Sequence, residues 1–192
     1  TSKARLTYEG LGPLFSKPKN KLDKKIETSL NNLEKIYRAL KLKRQRRNSI
    51  EFNLSETRPI SDKANRILKF SRMDRNEYHG VVEECMILAN ICAANFLLQR
   101  KIPTIFRFHE KPDLSKITDL KEFLSSRGFK KNMKSSNYRS SILSWLEESK
   151  KTKFEEIINL QILRSMKLAK YDSSHSDHFA LALDKYCHFT SP

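Results

Sequence analysis

Glycine is scarce in this chain: four residues of 192, two of them at Gly10 and Gly12. With so little glycine and no repeat or low-complexity tract, a linker-like or fibrous chain is excluded. Three cysteines, Cys85, Cys92 and Cys187, are too few for a disulfide or metal framework. Cys85 and Cys92 lie seven apart on one helix face and read as small, reduced core residues of a cytosolic protein. No apolar run reaches the roughly 18 residues of a membrane span, because Arg100 and Lys101 close the longest candidate. No membrane is therefore expected as a partner. No secretory leader opens the chain, which starts on Thr1.

Hydrophobic residues make up 38% and charged residues 31% of the sequence, a balance that suits one globular unit with a real core. The excess of one charge is large, a formal +16. Such a surface calls for a polyanion, and nucleic acid is the usual one. Lysine outnumbers arginine and asparagine is frequent, a profile that AT-rich coding also produces. Charge alone leaves both explanations standing.

Gly10 to Lys21 holds two glycines and two prolines and reads as a loop or an interrupted helix. From Leu22 to about Leu42 apolar residues recur at three and four, predicting an amphipathic helix. It runs into "KLKRQRR", where five of seven residues are basic; this is either a solvated helix end or a phosphate contact. "NSIEFNLSE" (Asn48 to Glu56) alternates and predicts a short strand; residues 61–73 continue the sheet or begin a helix. Further helices are predicted over 74–98, 113–126 (Ser115 as cap, Gly128 as stop), 138–148 and 154–171. Thr104 to Phe108 and "HFALALDKY" read as strands. The fold class is α+β, mostly helical with short scattered strands.

The helix over 74–98 carries "VVEECMILANICAANFL", apolar nearly all round from Cys85 to Leu98, so it is expected to be buried. Glu83 and Asn90 sit seven apart on one face, with Glu84 beside them. A buried carboxylate is costly unless paired. Either Glu83 and Glu84 pair with a basic residue of a neighbouring element, or this face lines a channel. In a channel a carboxylate can accept hydrogen bonds from ribose hydroxyls, while lysine and arginine supply affinity. Tyr8 and Phe52 can stack on bases or pack in the core. "SHSDH" brings His175, Asp177 and His178 together without a distant third ligand, so no metal is expected there. His109 and His188 read as hydrogen-bonded structural residues.

Taken together, "ARLTYEG", "VEECMILANICAANFL", "PTIFRFHEKPD", "LRSMKLAKYD" and "HFALALDKYCHFTSP" resemble, in order, the segments of the ribonuclease II and ribonuclease R exoribonucleases, the RNB catalytic domain, with the ribonuclease R branch nearer. The resemblance covers the chain from about residue 4 to residue 192. It implies an incomplete RNB domain across 1–192. The family's metal-binding aspartate cluster would lie upstream and its arginine segment downstream, since no D-x-D-D arrangement occurs here.

By the same resemblance the whole enzyme would hydrolyse single-stranded RNA from its 3′ end to nucleoside 5′-monophosphates, using Mg2+ held by ligands outside this chain. It would act as a cytoplasmic monomer. Tyr8 and Glu83 match the family pair that selects ribose, and Phe52 falls where the family places a base-stacking aromatic. The chain itself would be catalytically inactive; the alternative is a non-catalytic RNA-binding remnant. Two departures stand out. Ala180 replaces the usual glycine of "HFGLAL", where a methyl group is expected to crowd the backbone or the RNA path, and "EGLGPLF" follows Tyr8 in place of a helical continuation.

Overall fold

In the computed structural model, residues 5–7, 23–54, 56–73, 77–129, 138–174 and 176–191 are described. Tyr8 and His175 therefore lie outside the described residues, as does the predicted loop at 10–21. Helix α1 spans Lys24–Arg46. Asp23 caps it, its carboxylate accepting from the Lys25 N–H at 2.8 Å, and Lys43, Arg44 and Arg46 complement the dipole in the last turn. Helix α2 spans Glu77–Gln99. The two helices meet where Leu33 and Tyr37 pack on Tyr78 and Val81. Gly80 permits this close approach: a Cβ there would come within 2.8 Å of the Tyr37 hydroxyl.

Between them lies a hairpin, β1 (Glu56–Ser61) and β2 (Ile67–Met73), antiparallel, with Pro59 opposite Phe70 and Ile60 opposite Lys69. Asp62 shapes its turn by accepting from the N–H groups of Ala64 and Arg66, and Asn65 supplies the left-handed residue. After α2 come β3 (Phe106–Phe108), α3 (Leu114–Ser125), α4 (Tyr138–Ser149), α5 (Glu155–Ser165) and β4 (Lys170–Asp172). Strand β4 returns antiparallel to β3. The main core lies among α3, α4 and α5: Ile117, Leu120, Leu124, Ile142, Trp145, Ile158 and Ile162 close around Ile50, which enters from the segment after α1.

The α+β class, mostly helical with short strands, stands as the sequence implies. Several elements differ. Residues 49–54 form no strand, because their backbone bonds go elsewhere: the Ile50 N–H to the Ala180 carbonyl and the Asn53 N–H to the Asn159 side chain. The predicted helix over 154–171 stops at Ser165, where Met166 turns extended and frees the chain to form β4. "HFALALDKY" is a turn closed by a bridge between His178 and Leu183, with Ala182 left-handed at φ 53°. Ser115 is no cap; Asp113 occupies that position, and its carboxylate instead pairs with the Lys167 Nζ at 2.8 Å.

Helix α2 corrects two expectations. Its buried residues are Val81, Glu84, Ile87, Asn90 and Ala94, a single stripe at helical spacing, and that stripe contains the polar pair. Val82, Leu88, Phe96 and Leu98 are exposed, so the helix is not covered all round among the described residues. Cys92 is exposed rather than core, while Cys85 is half-buried. By length and mean hydropathy, 1.7 over an 18-residue window, α2 is also apolar enough to cross a membrane. The run-based reading missed this because Glu83 and Glu84 interrupt the run without lowering the mean enough. A helix that buries a glutamate paired to arginine and a fully bonded asparagine matches the core helix of a folded domain.

Candidate nucleic-acid interface

The adjacent Glu83 and Glu84 of α2 converge on one guanidinium. Arg44, in the last turn of α1, donates from Nη1 to Glu83 Oε1 at 2.9 Å and to Glu84 Oε1 at 2.6 Å. The arginine is buried, and the two carboxylates differ: the Glu84 side chain is 6% exposed and that of Glu83 is 24% exposed. Burial opposes the charge on Arg44, yet the bonds from Glu84 and Glu83 outweigh it and raise its pKa. The ion-paired alternative read from the sequence is thus what the geometry contains. Glu84 sits inward as the structural partner, and Glu83 sits at the rim. The basic run at the end of α1 is accordingly no uniformly solvated face.

Arg47 and the residues after it grip a turn from the far end of the chain. The Arg47 Nε donates to the Leu181 carbonyl at 3.0 Å, while the Ser49 hydroxyl and the Ile50 N–H donate to the Ala180 carbonyl at 3.2 and 2.7 Å. Arg139 donates to the Phe179 carbonyl at 3.1 Å and lies over the Phe179 ring. The same turn is held by its N–H groups: Ala180 donates to His109 Nδ1 and Leu181 to His178 Nδ1. Since Nδ1 of His109 accepts, its Nε2 carries the proton and donates to the Lys167 carbonyl at 2.7 Å.

Both rings are thereby fixed as neutral acceptors at Nδ1. Burial pushes the His109 pKa down, with Arg107 adding to the effect against the Lys167 bond. Burial, then His109 and Arg107, lower His178 to about 3. The structural reading of His109 holds. Ala180 lies outside the left-handed region, so its methyl group brings no backbone strain.

Asn90 organises the other end of the buried stripe. Its Nδ2 donates to the Tyr186 hydroxyl and the Thr190 carbonyl, and its Oδ1 accepts from the Thr190 N–H. The Thr190 hydroxyl donates to the Met86 carbonyl at 3.2 Å, and the Cys187 thiol donates to the Asn90 carbonyl. Residues 186–190 are thus strapped along α2. His188 hydrogen-bonds and stacks with Tyr171 at the surface.

Phe52 is half-buried and packs against the main core, immediately before Asn53, whose backbone N–H the Asn159 side chain secures. Glu83 and Phe52 are therefore placed by the two ends of one stretch, Arg44 to Asn53. The sequence does not single out Arg44, although two adjacent carboxylates call for a basic residue on a neighbouring element. Among the described residues no three His, Cys, Asp or Glu side chains converge as a metal site. The described residues therefore do not fit a magnesium centre.

The RNB domain family model matches residues 1–192. Ribonuclease R of Escherichia coli is 34% identical over 194 residues, covering 100% of this chain and 24% of the relative. The chain thus spans about a quarter of the length of that relative. Among solved structures, RNase R of Mycoplasma genitalium in complex with ribose-methylated single-stranded RNA matches with a TM-score of 0.83 and 28% identity, over 91% of this chain and 28% of that one. The same enzyme in complex with double-stranded RNA gives 0.82 and 28%, over 91% and 32%. Matched by that family model over its whole length, the chain belongs to the RNB domain family.

Proposed function

We propose that this chain is the RNA-reading part of a 3′-to-5′ exoribonuclease of the ribonuclease R kind, which hydrolyses single-stranded RNA to nucleoside 5′-monophosphates. Glu83 and Tyr8 select ribose, and Phe52 stacks on a terminal base. The observation that carries this reading is the carboxylate of Glu83, held at the rim by Arg44 in a chain of net charge +16. An anion beside a phosphate backbone costs affinity unless it accepts a hydrogen bond from a hydroxyl that RNA alone carries. Affinity comes from the surrounding lysines and arginines through counterion release. The relatives solved with RNA support RNA as the partner. The three free thiols are compatible with a cytosolic setting.

The Mg2+ of the whole enzyme rests on groups other than those described here, and the chain alone does not cleave RNA. Incubation of the purified chain with a 3′-tailed RNA and magnesium should release no mononucleotide. Release that persists through repurification and stops with EDTA overturns that part. For the ribose-reading role, the chain should bind a ribo-oligonucleotide more tightly than its deoxy counterpart. Glu83→Ala should reduce that preference by roughly ten- to a hundredfold, the worth of a hydrogen bond to a charged group. An unchanged preference removes the role.

A further inference from the structure

We propose that Arg44 is the positioning residue of this interface, aiming the Glu83 carboxylate from below while Glu84 anchors the arginine. The inference rests on the ribose-reading role proposed above. Neighbouring residues on a helix point about 100° apart, so the carboxylates of Glu83 and Glu84 converge only on a group lying between them. Arg44 Nη1 lies there, 2.9 Å from one and 2.6 Å from the other. The arginine thereby couples an inward carboxylate to a rim carboxylate through a single nitrogen. Its Nε has no hydrogen-bond partner among the described residues, so these two contacts hold the guanidinium.

The two carboxylates differ in exposure, 6% for Glu84 and 24% for Glu83, so Glu84 is the inner partner of the arginine and Glu83 the outer one. The end of α1 cannot drift, because Arg47, Ser49 and Ile50 tie it to the carbonyls of Leu181 and Ala180. Arginine is required because its planar guanidinium presents several fixed donors. The ammonium of lysine is a mobile point charge on a flexible stem. A lysine here would follow Glu84, the more buried partner, and leave Glu83 unaimed.

The test measures binding of the 192-residue chain to ribo-, 2′-deoxyribo- and 2′-O-methyl oligonucleotides of one sequence, with melting temperatures in parallel. The variants are Glu83→Gln, Arg44→Lys and the double variant Arg44→Met with Glu84→Leu. The double variant replaces the buried pair with apolar side chains, a change that folded proteins commonly tolerate, and removes the clamp on Glu83 without stranding a charge. Arg44→Lys and the double variant should each lose about tenfold in preference for ribose, matching Glu83→Gln, with the double variant melting near the parent. Adding Glu83→Gln to the double variant should cost no further preference.

A double variant that melts like the parent and keeps the full preference that Glu83→Gln abolishes overturns the positioning role and leaves Glu83 as reader. Where the double variant does not fold, retention of preference by Arg44→Lys has the same force. Full preference in Glu83→Gln itself overturns the reading of Glu83, and this inference with it.

Discussion

Asn90 and Thr190 are 100 residues apart in sequence and exchange backbone-specific hydrogen bonds in both directions. Asn90 Nδ2 donates to the Thr190 carbonyl at 2.9 Å, and the Thr190 N–H donates to Asn90 Oδ1 at 2.6 Å. An amide is the one short side chain able to serve the backbone donor and the backbone acceptor of the same residue. Asn90 is fully buried, so replacing it strands several partners at once. Asn90→Leu should cost about 2–4 kcal/mol, from unpaired buried groups worth roughly 1–3 kcal/mol each. Thr190→Val, which loses the hydroxyl alone, should cost about 1 kcal/mol. Denaturant unfolding of both variants checks the ratio; equal costs would show that the strap is held by packing instead.

Glu83 and Glu84 should differ in their contribution to stability as they differ in burial. Glu84→Ala leaves the buried Arg44 with its rim partner alone and should cost about 3–5 kcal/mol, the usual result of breaking a buried ion pair. Glu83→Ala leaves the shorter, inner bond intact and should cost about 1 kcal/mol. Melting of the two single variants decides the matter, and a larger loss for Glu83→Ala would reverse the assignment of anchor and reader.

Acid should loosen the turn at 178–183 before it touches most carboxylates. His109 and His178 have folded pKa values below the unfolded value near 6.5, so the unfolded chain binds more protons as pH falls. Their contribution is present above about pH 6.5 and is lost progressively below it, down to about pH 3 for His178. His178 contributes a slope approaching about 1.4 kcal/mol per pH unit, and His109 adds a slope of the same sign. Unfolding free energies at pH 7, 6 and 5 should therefore fall steadily, and His178→Gln should flatten the slope. An unchanged slope in that variant would place the acid sensitivity elsewhere.

Exposed apolar surface should be detectable directly. Val82, Leu88, Phe96 and Leu98 of α2, with Ile67, Leu68 and Phe70 of the β1–β2 hairpin, all reach solvent. Exposed apolar area of this kind binds hydrophobic dyes. The chain should enhance dye fluorescence while retaining near-ultraviolet circular dichroism from the buried Trp145. Phe96→Glu together with Leu88→Lys should reduce the dye signal without shifting the melt by more than a few degrees. A dye signal untouched by those changes would locate the surface on the hairpin.

Much of this protein is written in local pattern. The spacing of Leu33, Tyr37 and Leu40 specifies α1, and Gly128 marks the end of α3, adopting φ 89°. Periodicity predicted a helix-rich α+β fold, and five short segments were enough to point to the family. The need of Glu83 and Glu84 for a cation followed from the cost of burying carboxylates.

What the sequence could not decide was where non-local partners lie. "NSIEFNLSE" and "HFALALDKY" have the alternation of strands, but a ladder requires an adjacent partner strand, and tertiary packing offered Ala180, Asn159 and His178 in its place. Nor could pattern choose the buried face of α2, because apolar residues surround that helix. The choice fell to Glu84 and Asn90, whose polar groups found Arg44, Tyr186 and Thr190 on elements distant in sequence. A buried polar group is tolerated only where its partner is within about 3 Å, and that distance exists only once the chain has folded.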